Sequence, residues 1–388
     1  MALVLVLLLV SSGLAIVLYE QSTRSSVSSK ASTTTVTDTI GSTTTVPSTV
    51  TSTDTTGSTT TVPTTTTVTS TSTTTIKPAA VKLILDVTPG PSHAPYYYGY
   101  EQGIFAQNHI DLTIIPGTTV STGLAALEAG DVNFAIADPS NLVLFAANSN
   151  FTNIKMVALT YERNFAAVVY NNATISKPSN LNGKAGAMAN PATSSLSSVF
   201  TLFAKANDLN TSTMNLTFAS GATPGDLLLE GKVQFIVTTI QNLPTYNAEG
   251  ASLGLKFGAF DIASYGVDLT GFAIATTEAM IQQQPGVVQD FVNATMESFA
   301  AAIPDPQAAV SALVAYNPQL NATTSIEGFQ EDLGCCTINP SGLASPLQYG
   351  WMNPQDMQQT VANVVSALNI NATVIATNLY TDQFLEQP

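Results

Sequence analysis

The sequence predicts an α/β fold built on parallel sheets for the part of the chain that begins at Val81, and two observations lead to this prediction. From Val81 to Pro388, short apolar runs typical of buried strands alternate with segments whose apolar residues recur at helical spacing. The loops between them are rich in Gly, Pro, Ser and Thr, as turns are. This part of the chain is long enough for two lobes of roughly 100 to 200 residues, each with its own core.

The alternation can be followed element by element. The strand VKLILDV precedes the loop TPGPSHAP and the helix YYYGYEQGIF, DLTIIPG precedes a helix that ends at Gly130, and VNFAIAD precedes the helix PSNLVLFAANS. Further strands are KMVALTYE, FAAVVYNNA, KAGAM, NLTFAS and VQFIVTT, with helices from about Ala192 to Asn207 and at PGDLLLEG. Strands that alternate with such helices predict parallel sheets.

Four loops follow predicted strands and are candidates for a binding site. Open parallel sheets bind ligands at the carboxyl ends of their strands, where helix N-termini offer unpaired N–H groups. The rule selects residues 88–95, 138–141, 190–195 and 238–242, each rich in Ser, Thr, Asn or His. Such side chains form single hydrogen bonds with a ligand, so the loops predict binding rather than catalysis.

Catalytic motifs are missing from the sequence. It contains no Ser-His-Asp order, H-E-x-x-H motif, P-loop or G-x-G-x-x-G motif, and it has only two histidines. We therefore predict a protein that is not an enzyme, with no catalytic residue, no metal and no cofactor.

The charge is concentrated in the folding part of the chain. The first 80 residues hold three basic and three acidic groups, so the remaining residues carry 8 of the 11 basic and 23 of the 26 acidic side chains and the whole net charge of −15. Such a surface repels phosphate backbones and argues against nucleic-acid binding. It is interpreted as a soluble acidic surface, or alternatively as adaptation to an acidic exterior.

The first 80 residues predict export and tethering. Residues 1–19 form an apolar N-terminal membrane anchor or signal, with the run ALVLVLLLVSSGLAIVL close to bilayer-spanning length. Residues 20–80 form a disordered Ser/Thr-rich stalk, in which GSTTTVP occurs twice. Seven N-x-S/T sequons further along predict a glycosylated surface: Asn150, Asn172, Asn210, Asn215, Asn293, Asn321 and Asn371.

The two cysteines, Cys335 and Cys336, are adjacent. Neighbouring Cα atoms lie about 3.8 Å apart, closer than in most disulfides, so a bond between them would be strained. The expectation is two buried or free thiols.

Several stretches, in order, resemble the solute-binding proteins of ABC transporters for thiamine pyrimidine precursors and for sulfonates, taurine or nitrate. They are ILDVTPGPSHAPYYYGYEQGIFAQNHIDLTIIPG, ALEAGDVNFAIADPSNLVLF, ISKPSNLNGKAGAMANPATSS, YGVDLTGFAIATTEAMIQQQPGVVQDFVNA, WMNPQDMQQTVANVVSALNI and YTDQFL. Two departures from that family's pattern leave the ligand open: Val87 replaces an aromatic residue, and TTIQNLPTYN lacks the aromatic-Asn-aromatic-Glu run of the pyrimidine binders.

The resemblance implies a two-lobed type II periplasmic-binding-protein fold, with the ligand in the cleft between lobes and closure by hinge motion. Residues 81–172 and 268–388 would form lobe one and residues 173–267 lobe two, with crossings near Tyr170–Ala173 and Tyr265–Thr270. The implied function is the extracytoplasmic solute-binding component of an ABC importer. Its partners would be a small polar or planar ligand, the permease and ATPase subunits, and the membrane through the N-terminal segment. We expect a monomer on the extracellular side of the cell surface.

The candidate ligand-binding residues come from the loops and from the resemblance. His93 lies where the pyrimidine-precursor binders have a histidine, and either binds ligand or braces its loop. Arg163 either clamps an anion or is solvated, and residues 193–195 either bind an anion or cap a helix. The full set is His93, Tyr97, Asp138, Ser140, Asn190, Thr193, Ser194, Thr239 and Asp268.

Two other functions stay open at this point. The long stalk equally suits a sensor or glycoprotein ectodomain without a transport role. The run GCCTINP weakly resembles the cysteine cluster of the eukaryotic pyrimidine synthases that share this fold. This resemblance would make the chain an enzyme.

Overall fold

The computed structural model describes residues 27–28, 37–53, 59–75, 77–149, 153–190, 194–219, 223–337, 343–371 and 373–387. The predicted anchor, residues 1–19, lies outside these ranges, as do Thr193 and the sequon at Asn150. Within the described part of the chain, no helix is both long enough and apolar enough to span a membrane.

The described residues form strands and helices that alternate, as the sequence predicts. The strands are β1 (Val27–Ser28), β2 (Thr37–Thr53), β3 (Thr59–Thr75), β4 (Ala79–Ile84), β5 (Ile110–Ile115), β6 (Phe134–Ala137), β7 (Ile154–Leu159), β8 (Ala166–Asn171), β9 (Ala185–Ala189), β10 (Asn215–Ala219), β11 (Phe235–Thr239), β12 (Phe257–Asp261) and β13 (Ala273–Thr277). The helices are α1 (Ala94–Glu101), α2 (Ile104–Gln107), α3 (Val120–Glu128), α4 (Pro139–Ser149), α5 (Leu196–Ala206), α6 (Thr223–Leu229), α7 (Leu243–Ala251), α8 (Glu278–Gln283), α9 (Pro285–Ala302), α10 (Pro306–Tyr316), α11 (Ala322–Cys336), α12 (Pro346–Tyr349) and α13 (Pro354–Ala367).

Two sheets define two lobes. The first lobe has the strand order β1-β5-β4-β6-β13-β7, and the second has β10-β9-β11-β8-β12. The strands β4, β5 and β6 are parallel in the first sheet, and β9, β10 and β11 are parallel in the second. This α/β arrangement of two sheets confirms the predicted fold class in its coarse form.

Neither sheet is wholly parallel, which corrects the prediction of parallel sheets. In the first sheet β13 runs antiparallel to β6 and β7, and in the second β8 runs antiparallel to β11 and β12. Both β8 and β13 are entered directly from the other lobe. The chain therefore reaches them at the edge where the parallel strands end, and it must run in the opposite direction.

The first crossing lies earlier than predicted. Strand β7 belongs to the first sheet and β8 to the second, so the chain crosses at residues 160–165 and not near Tyr170–Ala173. The return crossing lies between β12 and β13, at residues 262–272, and includes the predicted range Tyr265–Thr270. The misplacement arises because FAAVVYNNA is a strand that could belong to either sheet by pattern alone.

Part of the stalk is paired rather than disordered. Strands β2 and β3 form an antiparallel ladder from Thr37↔Thr75 to Thr53↔Thr59. Their Thr and Val residues are β-branched, which favours the extended backbone of a strand. The expectation of an extended segment holds for these residues, but the expectation of disorder does not.

Helix α9 packs closely against both the sheet and helix α1 in the core of the first lobe. Phe134 of β6 stacks on Phe291 of α9, with ring centroids 4.0 Å apart. Helix α1 approaches α9 so closely that a Cβ at Gly99 would lie 1.8 Å from the hydroxyl oxygen of Ser298. Only glycine fits at that crossing, and the resulting contact fixes the start of α1, which follows His93.

The cysteines are bonded to each other, contrary to the expectation of two buried or free thiols. A disulfide joins Cys335 and Cys336 at the end of α11, and Cys336 is fully buried. The Cys336 carbonyl accepts hydrogen bonds from the backbone N–H groups of Glu162 and Arg163. The end of α11 is therefore fastened to the first crossing between the lobes.

Candidate functional site

The site begins with the carboxyl ends of two neighbouring strands. Strands β4 and β6 are parallel, with Ile84 opposite Ala135. Asp86 follows β4 and Asp138 follows β6, so both carboxylates lie at the same edge of the first sheet. Both side chains are buried, at 8% and 0% exposure.

His93 is a bonded part of the loop that follows β4. Its Nε2 lies 2.7 Å from Asp86 Oδ1, and its Nδ1 accepts the Gly90 N–H at 3.0 Å. Because Nδ1 accepts a hydrogen bond, the ring proton is on Nε2 and the imidazole is a neutral donor to Asp86. His93 therefore braces the loop and orients Asp86, and ligand binding by His93 stays a prediction.

Hydrogen bonds from this loop reach the second lobe and the crossing. The Ser92 N–H donates to Gln241 Oε1 at 2.8 Å, across the two lobes. The Tyr161 hydroxyl, in the first crossing, donates to the Ser92 carbonyl at 2.7 Å. A buried backbone group needs such a partner, so Gln241 and Tyr161 hold the loop in place.

A second polar bridge between the lobes starts at α4. Asp138 precedes this helix, and its Oδ1 accepts the Asn141 N–H at 3.0 Å as a helix cap. The Asn141 amide nitrogen donates to Asp138 Oδ2 and, at 2.9 Å, to Ser195 Oγ at the start of α5 in the second lobe. The carboxyl edges of the two sheets therefore meet.

We use the name interlobe site for loops 86–93 and 138–141, the crossing 160–165, Asp332, Ser195 and Gln241. Beside the bridges lies a small cavity whose lining includes Asp86, Ser92, His93, Tyr96, Thr160 and Tyr161. Its volume of about 10 Å³ is close to what one water molecule needs. The lobes are thus closed on each other.

Several buried polar atoms at the interlobe site have no hydrogen-bond partner among the described residues. They include Ser140 Oγ, Asn141 Oδ1 and both carboxylate oxygens of Asp332, whose side chain on α11 is fully buried. Burial raises the pKa of Asp332 well above its usual range, and the charges of Glu331 and Asp86 add to this effect. Burial, followed by the charge of Asp332, also raises the pKa of Tyr161. Asp332 lies one helical turn before Cys336, whose carbonyl accepts the backbone N–H groups of Glu162 and Arg163 in the first crossing.

Three predicted residues lie away from this cavity. Tyr97 is buried, but its ring packs on Tyr316 at 5.2 Å, and its neighbour Tyr96 lines the cavity instead. Asn190 is exposed. Asp268 forms a bidentate ion pair with Arg163, at 2.8 and 3.0 Å, between the two crossings. The two side chains are 38% and 63% exposed, so Arg163 is solvated as well as paired.

Two further predicted residues are one or two positions from the residues that bridge the lobes. Ser194 Oγ accepts the Leu196 N–H and caps the start of α5, whereas Ser195 is the bridge. Thr239 Oγ1 accepts from Asn242 and, at 3.4 Å, from Gln241, so it supports the glutamine that contacts Ser92. His93, Asp138 and Ser140 lie together as predicted, and their binding roles stay predictions.

Removing the Ser195 hydroxyl tests the second bridge. We expect Ser195→Ala to weaken solute binding about two- to tenfold, because one uncharged hydrogen bond contributes about 0.5 to 1.5 kcal/mol. The matched control is Ser194→Ala, which removes the same hydroxyl one position earlier. Isothermal titration of both variants measures the effect; a larger loss in the Ser194 variant would show that the bridge is misassigned.

Comparison with known proteins identifies the family. A family model described as NMT1/THI5 like matches residues 90–309. The chain belongs to the NMT1/THI5-like family. The matched residues of this NMT1/THI5-like chain include His93, Asn141, Ser195 and Gln241, whereas Asp86 and Asp332 lie outside them. No curated protein sequence matches it.

Solved structures of solute-binding proteins share the NMT1/THI5-like chain's fold. The periplasmic aliphatic sulphonate binding protein SsuA from Escherichia coli is 14% identical, with a TM-score of 0.61 over 80% of this chain and 95% of that one. The ligand binding component of an ABC-type import system from Staphylococcus aureus, solved with zinc bound, is 13% identical, with a TM-score of 0.61 over 79% and 97%. The periplasmic nitrate-binding protein NrtA from Synechocystis PCC 6803 is 11% identical, with a TM-score of 0.52 over 64% of this chain and 69% of that one.

Proposed function

We propose that the chain is the extracytoplasmic solute-binding component of an ABC importer and binds a small polar or planar solute between its lobes. The observation that carries the proposal is the meeting of the two carboxyl edges at the interlobe site. There, Ser92 contacts Gln241 and Asn141 contacts Ser195, while buried polar atoms nearby have no partner among the described residues. Such groups are expected to bind a ligand, because leaving them unpaired costs free energy.

Closure gives the mechanism of capture. A solute that contacts both lobes binds the closed form better than the open form, and this difference in affinity shifts the population towards closure. The crossings 160–165 and 262–272 are the two segments about which the lobes move. A permease and its ATPase are the partners that would distinguish the closed, loaded form from the open form.

The proposed location is the extracellular side of the membrane. Residues 1–19 would anchor the chain, residues 20–80 would connect the anchor to the lobes, and the sequons would carry glycans. Five of these asparagines are exposed in the structure: Asn172, Asn210, Asn215, Asn321 and Asn371. Protease treatment of intact cells should remove the lobes from the surface; complete protection would contradict this location.

A thermal-shift screen tests solute binding. The screen covers pyrimidines, sulfonates, taurine and nitrate, the ligand classes implied by the family resemblance. At a ligand concentration 100 times the dissociation constant, binding to the folded state alone stabilises it by about 2.7 kcal/mol. At least one solute is expected to raise the melting temperature. The proposal fails if these solutes and the charged probes described in the next subsection all leave the melting temperature unchanged.

A further inference from the structure

Three buried carboxyl groups converge on the interlobe site from three segments of the chain. Asp86 follows β4, Asp138 follows β6 and Asp332 lies on α11. Their exposures are 8%, 0% and 0%. Asp332 lies on the same face of α11 as Gly328, one turn earlier, where an added Cβ would meet Gln241 and Pro91.

The described residues that line the cavity bring no lysine or arginine to these carboxyl groups. His93 donates to Asp86 as a neutral imidazole, since its Nδ1 accepts the Gly90 N–H. Arg163 is engaged by Asp268 outside the cavity. The carboxyl groups of the interlobe site are therefore either ionised, which leaves the site with an excess of negative charge, or protonated.

The atoms left without partners are mainly hydrogen-bond acceptors. When Asp332 is ionised, both of its oxygens can only accept, as the Oδ1 of Asn141 always does, whereas the hydroxyls of Ser140 and Tyr96 can accept or donate. The backbone donors of the site are already used: the Asn141 N–H binds Asp138 and the Ser92 N–H binds Gln241. A ligand that fits this inventory brings donors of its own.

The start of α4 is also unsuited to an anion. Helix N-termini attract anions because their first N–H groups are unpaired. Here the Asp138 carboxylate already accepts the Asn141 N–H, and its negative charge would repel a second anion. The same helix start that would favour a sulfonate or nitrate is therefore capped by the chain itself.

We propose that the interlobe site selects a small organic cation with N–H donors, such as an ammonium or amidinium group, and that Asp332 is its charge partner. This inference rests on the proposed solute-binding function. Asp332 supplies two fully buried acceptor oxygens with no other partner among the described residues. Asn141 and Ser140 supply further acceptor positions at the same edge of the first sheet.

Three isosteric probes of different charge test the selectivity on the full chain: acetamidinium, acetamide and acetate. Ethylammonium and ethanesulfonate form a second matched pair, and Zn²⁺ is added as a metal probe. Ligand-observed NMR at constant ionic strength should detect the two organic cations and neither anion. If only the anions or only Zn²⁺ bind, the cation inference is wrong while solute binding stands. If no probe and no solute of the thermal-shift screen binds, the proposed function itself fails.

A pair of variants on α11 tests the role of Asp332. Asp332→Asn keeps the shape of the side chain and removes its charge, and it should weaken cation binding about tenfold or more. The control Glu331→Gln removes the same charge from an exposed neighbour and should leave binding unchanged. The melting temperature of each variant shows that it is folded. Equal cation binding by wild type and folded Asp332→Asn would overturn the assignment.

Discussion

Replacing Gly328 with alanine is expected to hold the lobes apart and to weaken solute binding roughly tenfold to a hundredfold. Gly328 lies on α11 of the first lobe and faces the second. A Cβ at this position would lie 2.5 Å from the Gln241 carbonyl oxygen and 3.1 Å from Pro91 Cγ. Overpacking of this kind costs about 1–3 kcal/mol. Because Gln241 belongs to the second lobe, the clash with its carbonyl oxygen exists only when the lobes are closed, and that cost falls on the closed form.

The same helix offers a matched control. Gly334→Ala adds the same methyl group where no other atom lies within 4 Å of the new Cβ. Small-angle scattering should show a larger radius of gyration for the Gly328 variant than for wild type and for Gly334→Ala, and calorimetry should show the loss of affinity. A Gly328→Ala variant that is as compact as wild type and binds equally well would rule out closure through this contact.

Asp332→Asn is expected to stabilise the folded chain at neutral pH by about 1.4 kcal/mol for each unit by which folding raises the pKa of Asp332, because the amide fills the same space and cannot ionise. Burial raises the pKa of Asp332 above its unfolded value, with Glu331 and Asp86 adding to the rise. The folded state therefore holds this proton more tightly than the unfolded state. The contribution to stability is complete below the unfolded pKa and is lost as the pH rises through the folded pKa.

Urea denaturation across a pH series measures this difference. Wild type should lose stability from acidic to neutral pH, and Asp332→Asn should lose less, so that the two curves separate as the pH increases. The control is Glu331→Gln, whose side chain is exposed. An Asp332→Asn variant that is less stable than wild type at neutral pH would show that the carboxylate has a stabilising partner.

Strands and their order could be predicted from the sequence because their signals are local. Apolar runs such as VKLILDV and VQFIVTT overlap the strands β4 and β11, and the polar loops after them meet through Ser92 and Gln241. The sheet to which β8 belongs could not be predicted in this way. Its apolar pattern is the same in either sheet, and only its pairing with β11 and β12 decides the matter.

The exact binding residues depend on helical phase, which a loop composition does not specify. Neighbouring residues on a helix point about 100° apart, so Tyr96 lines the cavity while Tyr97 packs on Tyr316. Just before α5, Ser195 bridges the lobes while Ser194 accepts the Leu196 N–H. No motif or loop composition in the sequence indicated Asp332 as a site residue. It lies far along the chain from the other site residues, and only the packing of α11 against the second lobe brings it close.

A crystal structure of the chain with the strongest ligand of the screen would show whether the solute binds between the lobes. We expect density for the solute at the interlobe site, in contact with Asp332 or Asn141 of the first lobe and with Ser195 or Gln241 of the second. Density for the solute at any other surface, with the contacts of Ser92 to Gln241 and of Asn141 to Ser195 unchanged, would contradict this expectation.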